Sequence, residues 1–288
     1  MIGFLCVDKP HGMTSRGVVN RIARHVKPLR VGHAGTLDPL ATGVLVVAVG
    51  RATKLISHVQ RMQKQYSAGF ELGKTSDTED STGNVSIVEG AVAPASDELE
   101  RACEKFTGRI MQRPPAYSAL RVNGRRAYDL ARKGKPVELQ ERPVDIYQID
   151  ILDYHYPALN LGVTCGSGTY IRSLGRDVGE QLGCGALMNR LQRTAVGVFR
   201  IQDAVTIEEL EDADAIRAHL LPLNMGLAGL PRFEVTAEQR RLLSFGNRLE
   251  LEVEADEVAA YSPTEEPLAV LLRESGNKFR ASVSFIAV

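Results

Sequence analysis

The segment Gly32-His33-Ala34-Gly35-Thr36-Leu37-Asp38-Pro39-Leu40-Ala41-Thr42-Gly43 combines residue types and spacing that could do chemistry. Pro39 drives Asp38 out of the helical region toward an extended backbone. Leu37 and Leu40 flank the carboxylate with apolar surface, and Gly35 and Gly43 leave room for a ligand to approach the main chain. An aspartate is ionised at neutral pH and needs no separate base to act as a nucleophile. Partial desolvation raises its reactivity, but an unpaired carboxylate away from water is costly, so this chemistry requires a cation close by. On spacing alone two readings stay open: a catalytic carboxylate, or a cap or turn aspartate in an ordinary loop.

The elements that must hold this segment follow from periodicity and turn chemistry. Residues 3–7 read as a short buried strand ending at Asp8-Lys9-Pro10, with Pro10 and Gly12 enforcing a turn. Thr14 or Ser15 caps a helix to about Val26, apolar at 18, 19, 22 and 26. Residues 31–43 hold four glycines or prolines and predict no regular element. A strand over 44–49, a short amphipathic helix over 51–61 and a strand over 65–73 come next, then a polar loop over 74–84 and a helix over 96–106. Residues 112–142 are long, basic and partly helical in pattern, an excursion from the core. Two strands over 144–165 turn at Pro157, Gly166-Ser167-Gly168 leads into a helix over 169–182, and a strand resumes at 195–201. Residues 222–231 are the linker candidate. Beyond them Gly246-Asn247, Ser262-Pro263 and Gly276-Asn277 punctuate short strands, predicting a small β-rich unit. The pattern as a whole is α+β, without internal repeats.

Composition narrows the class. The chain is 44% hydrophobic and 24% charged, and no apolar run reaches the ~20 residues a membrane helix needs. Residues 1–8 lack a basic stretch before a long apolar core, so no signal peptide is expected. Cys6, Cys103, Cys165 and Cys184 form no C-x-x-C pair and have no histidine at zinc spacing. They read as buried small hydrophobes in a reduced, cytoplasmic protein, with no metal. The formal net charge of zero hides an asymmetry. Residues 1–66 carry ten Lys/Arg against two acids, and 101–142 eleven against four, whereas 207–288 carry eight against fifteen. Such local basic regions steer a polyanion even when the sum is neutral.

The aspartate segment resembles the catalytic motif of the TruB-type tRNA pseudouridine synthases, and other segments match in order. Val7-Asp8-Lys9-Pro10-His11-Gly12-Met13-Thr14-Ser15 is similar to the family's first motif, and Lys64-Gln65-Tyr66 to the strand with its active-site tyrosine. The loop from Gly73 to Gly83, with Thr75, Thr78 and Asp80, follows. Gln112-Arg113-Pro114-Pro115-Ala116-Tyr117-Ser118-Ala119-Leu120 and Gly124-Arg125-Arg126-Ala127-Tyr128 resemble its insertion, and Cys165-Gly166-Ser167-Gly168-Thr169-Tyr170-Ile171-Arg172-Ser173-Leu174 its arginine motif. The resemblance runs from residue 3 to about 200. From about Leu230 the likeness to the family's PUA-like domain is loose, and Gln192 stands where the family is often more basic.

The resemblance implies a mixed, largely antiparallel central sheet with packed helices and a small C-terminal β-rich PUA-like domain. It implies a catalytic domain over 1–225, with an RNA-clamping insertion at about 112–142, and a second domain over 230–288. Asp38 matches the catalytic aspartate, Tyr66 the tyrosine packed on the target base and Arg172 the arginine paired with the aspartate. Tyr170 and Leu191 match residues lining the uridine pocket, and His33 the histidine near the flipped nucleotide. Lys9 matches the lysine of the first motif, with a structural more than a catalytic role. The implied activity is isomerisation of the TΨC-arm uridine of tRNA to pseudouridine, without cofactor, guide RNA or obligatory protein partner, by a monomer. The carboxylate could attack C1′, add to C6 or act as a base at the ribose. Two rivals remain at this stage: an RNA-guided synthase of the dyskerin type, and a non-catalytic RNA-binding or tRNA-folding module.

Overall fold

The computed structural model describes residues 1–118, 120–122, 125–126 and 139–286. Along the chain the strands are β1 (Gly3–Lys9), β2 (Val31–His33), β3 (Thr42–Val49), β4 (Lys64–Leu72), β5 (Lys74–Ser76), β6 (Val85–Ile87), β7 (Gly108–Gln112), β8 (Arg121–Val122), β9 (Arg125–Arg126), β10 (Arg142–His155), β11 (Ala158–Cys165), β12 (Ala186–Val196), β13 (Phe199–Arg200) and β14 (Val205–Thr206). Helices α1 (Ser15–His25), α2 (Ile56–Arg61), α3 (Ser96–Lys105) and α4 (Ile171–Gln181) pack around them.

One mixed sheet runs β14-β1-β3-β12-β4-β11-β10-β7, with β2 added to β3 and β13 to β12. Only the β1–β14 and β3–β12 ladders are parallel. This is the mixed, largely antiparallel sheet that the resemblance implies. The interior strand β3 is buried on both faces, which is why it reads as an unbroken apolar run. Strand alternation divides the side chains. Leu45, Val47 and Val49 join Leu5, Val7 and the Val18, Val19 and Ile22 stripe of α1, while Val44, Val46 and Ala48 join Phe4 and Cys6 on the other face. Thr14 caps α1 by accepting a hydrogen bond from the Gly17 N–H.

The arginine helix α4 packs with α3 against Ala68, Phe70 and Leu72 of β4 and Leu159, Leu161 and Val163 of β11. The approach is close: a Cβ on Gly175 would stand 2.2 Å from Phe70 Cε1. Gly175→Ala is therefore expected to force α4 off the sheet and cost about 1–3 kcal/mol of stability. Urea unfolding measures this; an unchanged midpoint would show that Phe70 swings away freely.

Several local expectations need correction. Residues 31–43 are not wholly irregular: Val31–His33 pair with β3. The polar stretch 74–84 is not all loop, because β5 pairs with β6 as a two-stranded ladder. The strand expected at 195–201 is two: its first residues end a far longer strand, β12, which starts at Ala186, and Phe199–Arg200 turn back on it as β13. Much of the excursion expected at 112–142 lies outside the described residues, including part of the Gly124–Tyr128 motif.

The C-terminal sheet comprises β15 (Arg232–Glu234), β16 (Leu249–Glu250), β17 (Glu257–Tyr261), β18 (Pro267–Ser275) and β19 (Lys278–Ser284), in the order β15-β17-β18-β19-β16. Residues 222–231 are not a loose linker. The Phe4 and Leu221 main chains exchange hydrogen bonds of 2.9 and 2.7 Å, and Leu227 is buried. Ala259, Tyr261 and Val270 share a core with Phe4, Val44 and Val46. Two polar ties reinforce this seam: Glu257 binds His58 at 2.8 Å and Arg61 at 2.6 Å, and Arg51 donates to the Ser284 carbonyl at 2.8 Å. Removal of residues 230–288 would thus open a shared core as well as any RNA contact.

Candidate active site

The aspartate loop is held from below by the first strand and helix. Ser15 Oγ donates to the Leu37 carbonyl at 2.9 Å and accepts from the Leu37 N–H at 2.8 Å. The Gly12 N–H donates to the Pro39 carbonyl at 2.8 Å, and Asp8 accepts from the Gly43 N–H at 3.1 Å. Lys9 is fully enclosed, and its ammonium donates to the carbonyls of Met13 (2.6 Å), Pro10 (3.0 Å) and Pro39 (3.4 Å). Three donors meet three acceptors, so Lys9 is a strut under the loop and does not reach the cleft. Burial pushes its pKa down to about 8 against the pull of Asp38.

On the other side the loop lies against β12. Gly43 has φ +95°, and a Cβ there would sit 2.3 Å from the Arg193 carbonyl. Only glycine permits both that backbone conformation and that approach.

Asp38 itself stays 42% exposed, while the Arg172 side chain is only 6% exposed. Arg172 Nη2 lies 2.9 Å from Asp38 Oδ2, and its Nε 3.6 Å from Asp80 Oδ2. Its other donors reach the carbonyls of Thr78 (2.7 Å) and Tyr117 (3.0 Å). Asp80 is in turn fixed by Thr78 Oγ1 and by the Thr82 main chain and hydroxyl. The buried guanidinium is thus aimed and charge-balanced before any ligand arrives, and it presents the cation that an active carboxylate requires.

Asp38 sits where two hollows meet. One, of about 570 Å³, is lined by Tyr66, Tyr170, Leu191, Arg142 and Arg193 along with Asp38 and Arg172. The other, of about 1180 Å³, is lined by Arg16, His33, Thr82 and Asn84 and shares Asp38 and Arg172. The first has the aromatic and aliphatic walls that suit a planar base, and the second opens along polar and basic side chains. Tyr66, Tyr170, Leu191 and His33 thus gather at the carboxylate from four different elements. Burial raises the Tyr66 phenol above its ordinary value, so it is protonated at neutral pH. Burial lowers the His33 imidazole, and the Arg193 and Arg16 charges add to that, so it is neutral.

Three site residues escaped the sequence reading. Gln112 locks the Tyr170 main chain: its Nε2 donates to the Tyr170 carbonyl at 3.1 Å, and its Oε1 accepts from the Tyr170 N–H at 2.9 Å. Arg142 lies over the Tyr170 ring at 5.2 Å from its centroid. Arg193 sits at the floor, 2% exposed. Only the placement of Gln112 at the head of a long basic stretch hinted at any of them. The cysteines offer no rival nucleophile: all four are free and buried, and burial pushes Cys6 up to about 12 and Cys103 and Cys165 to about 11. No helix among the described residues is long and apolar enough to cross a membrane.

The family model for the N-terminal domain of TruB family pseudouridylate synthases matches residues 23–171, and that for the C-terminal domain of tRNA pseudouridylate synthase B matches residues 172–228. The chain is 42% identical to tRNA pseudouridine synthase B of Corynebacterium aurimucosum over 99% of its length and 96% of that protein's. It is also 42% identical to the same-named protein of Cereibacter sphaeroides, over 95% of this chain and 93% of the relative. Among solved structures, a chain of a Cbf5-Nop10-Gar1 complex has the same fold, with a TM-score of 0.76 at 24% identity, covering 99% of this chain and 85% of that one. The chain belongs to the TruB family of pseudouridylate synthases.

Proposed function

We propose that the protein converts a uridine in the TΨC arm of tRNA to pseudouridine, with Asp38 as the essential carboxylate. The observation that carries this is the buried Arg172 held 2.9 Å from a half-exposed Asp38 at the mouth of a base-sized hollow. The reaction breaks the N1–C1′ bond, turns the uracil and joins C5 to C1′, with no net oxidation or group transfer, so the chain needs no cofactor. Arg172 pairs with the carboxylate and aims it. Tyr66, Leu191 and Tyr170 enclose the flipped base, and His33 and Arg16 line the path by which the strand enters. Flipping costs a few kcal/mol of unstacking, which phosphate contacts along the basic N-terminal region offset.

We assign catalysis to residues 1–225 and a minor share of RNA binding to the acidic residues 230–288. The names of the relatives favour tRNA over a guided substrate, and the protein is proposed to act alone, as a cytoplasmic monomer. The test is tritium release from tRNA transcripts carrying 5-tritiated uridine, with the purified chain and no other RNA. Release of a single equivalent, mapped to the TΨC arm, is expected. No release, or release only after a guide RNA is added, would overturn the reading.

A further inference from the structure

Glu79 holds a backbone conformation that favours glycine: its φ is +62°. A residue with a Cβ is strained there and persists only where its surroundings hold it. Its main chain is tied on both sides. The N–H donates to the Ser76 carbonyl at 3.1 Å, and the carbonyl accepts from the Met188 N–H at 3.1 Å. Its side chain, 12% exposed, is pinned to the arginine helix α4. Ser173 Oγ donates to Glu79 Oε2 at 2.7 Å, and Arg176 Nη1 donates to Oε1. Arg176 is steadied in turn by Asp177 Oδ1 at 2.7 Å and by the Arg113 carbonyl at 3.0 Å.

Arg172 and Arg176 are four residues apart and so share a face of α4. That face meets three consecutive loop residues. Arg172 donates to the Thr78 carbonyl at 2.7 Å and lies 3.6 Å from the Asp80 carboxylate, and the Glu79 carboxylate is gripped between them. The strained residue therefore stands between the two groups that set Arg172, the cation 2.9 Å from Asp38. Glu79 itself lines neither of the hollows that meet at Asp38. An ion pair that only fastened the loop to α4 would work as well from an unstrained residue.

We propose that Glu79 is a positioning residue for the isomerisation: its pinned carboxylate holds the left-handed turn that presents the Thr78 carbonyl and the Asp80 carboxylate to Arg172. Through these two groups it fixes the guanidinium, and through the guanidinium the aim of Asp38. Without the pin, residue 79 relaxes toward negative φ and carries both acceptors away from Arg172. A displacement of about 1 Å at the reacting groups, caused from a distance, costs about 100-fold in rate. This inference rests on the proposed pseudouridine synthase activity.

The test compares three substitutions at one position of the full chain. Glu79→Ala removes the pin and keeps the strain, and is expected to slow single-turnover tritium release from tRNA about 100-fold. Glu79→Gly also removes the pin but adopts a positive φ freely, and should regain about tenfold of that loss. Glu79→Gln keeps both contacts without the charge, since its amide can accept from Arg176 and donate to Ser173, and should stay within about threefold of the parent rate. Affinity for tRNA should stay within about threefold throughout, because only the geometry of the reacting groups is disturbed. Rates are read well below each variant's thermal transition, which separates aim from lost fold. An alanine variant within about threefold of the parent rate, or glycine and glutamine variants no faster than the alanine one, overturns the proposal. If Glu79→Ala gives no cooperative transition, Ser173→Ala replaces it. That variant frees one carboxylate oxygen and is expected to lose at least about fivefold in rate, and a smaller loss overturns the proposal.

A second readout needs no RNA. The Arg172 Nε–H resonance, identified by its disappearance in Arg172→Lys, should move in Glu79→Ala and return toward the parent position in Glu79→Gly and Glu79→Gln. An unmoved resonance overturns the positioning role. A resonance that moves and returns in this way, in a protein that releases no tritium from any RNA, would leave the positioning standing and overturn the proposed activity instead.

Discussion

Asp38→Asn should leave a folded protein that binds tRNA and does not isomerise it. The substitution removes a half-exposed carboxylate from a loop whose supports are all main-chain or belong to other residues: Ser15 on Leu37, Lys9 and Gly12 on Pro39, and Asp8 on Gly43. Arg172 keeps Asp80 and the carbonyls of Thr78 and Tyr117, so its charge is still balanced. Stability should change by no more than about 1 kcal/mol, because the carboxylate removed is itself half exposed and the buried guanidinium keeps Asp80. The rate constant for tritium release should fall by about 10⁴-fold or more, as when an essential nucleophile is removed. Single-turnover release and filter binding on the same preparations separate the two effects. Release within tenfold of the parent rate would end the assignment of Asp38 as the reacting carboxylate. Lost binding with an intact rate on saturating RNA would make it a docking residue.

Arg172→Met should cost both activity and fold. Its guanidinium is shared by Asp38 and by Asp80, and Asp80 is buried, so removing the cation strands a carboxylate away from water. Breaking a buried pair from one side costs about 3–5 kcal/mol. The carbonyls of Thr78 and Tyr117 lose their donor at the same time. Urea unfolding should show this loss, and tritium release should fall by at least about 10³-fold because Asp38 loses its orienting cation. The two consequences can be parted. In an Asp80→Asn background the stranded charge is gone, so the further stability cost of Arg172→Met should shrink by more than half while the rate stays lost. If stability fell equally in both backgrounds, Asp80 would not be the group that Arg172 protects.

These pairings show what a chain of letters reveals and what it withholds. Asp38 drew attention because proline, glycine and leucine around it are poor company for an ordinary turn aspartate, and its need for a cation followed from desolvation alone. Thr14 announced the start of α1 through capping chemistry, and the strands over 144–165 announced their turn at Pro157. Arg193 announced nothing. In Leu191-Gln192-Arg193-Thr194 it looks like any surface arginine, and only the parallel ladder with β3 and the antiparallel one with β4 carry it inside. The same charged residues hid most of β12, since Arg190 and Arg193 break the apolar alternation by which a strand is recognised. Gln112 was visible at the head of a basic stretch, but its role was not, because its partner is a main chain 58 positions away. Turn chemistry and periodicity are local, whereas the floor of this site is made by long-range register.

That long range bears on when the protein can first act. Arg193 reaches back 158 positions to the carbonyl of Gly35, and Tyr261 and Val270 complete the core beneath the first strand. A ribosome making this chain releases the aspartate loop early, the loop's cation and floor only past the chain's midpoint, and Tyr261 and Val270 of its supporting core later still. The loop is thus expected to gain its cation first, its floor next and its full supporting core last.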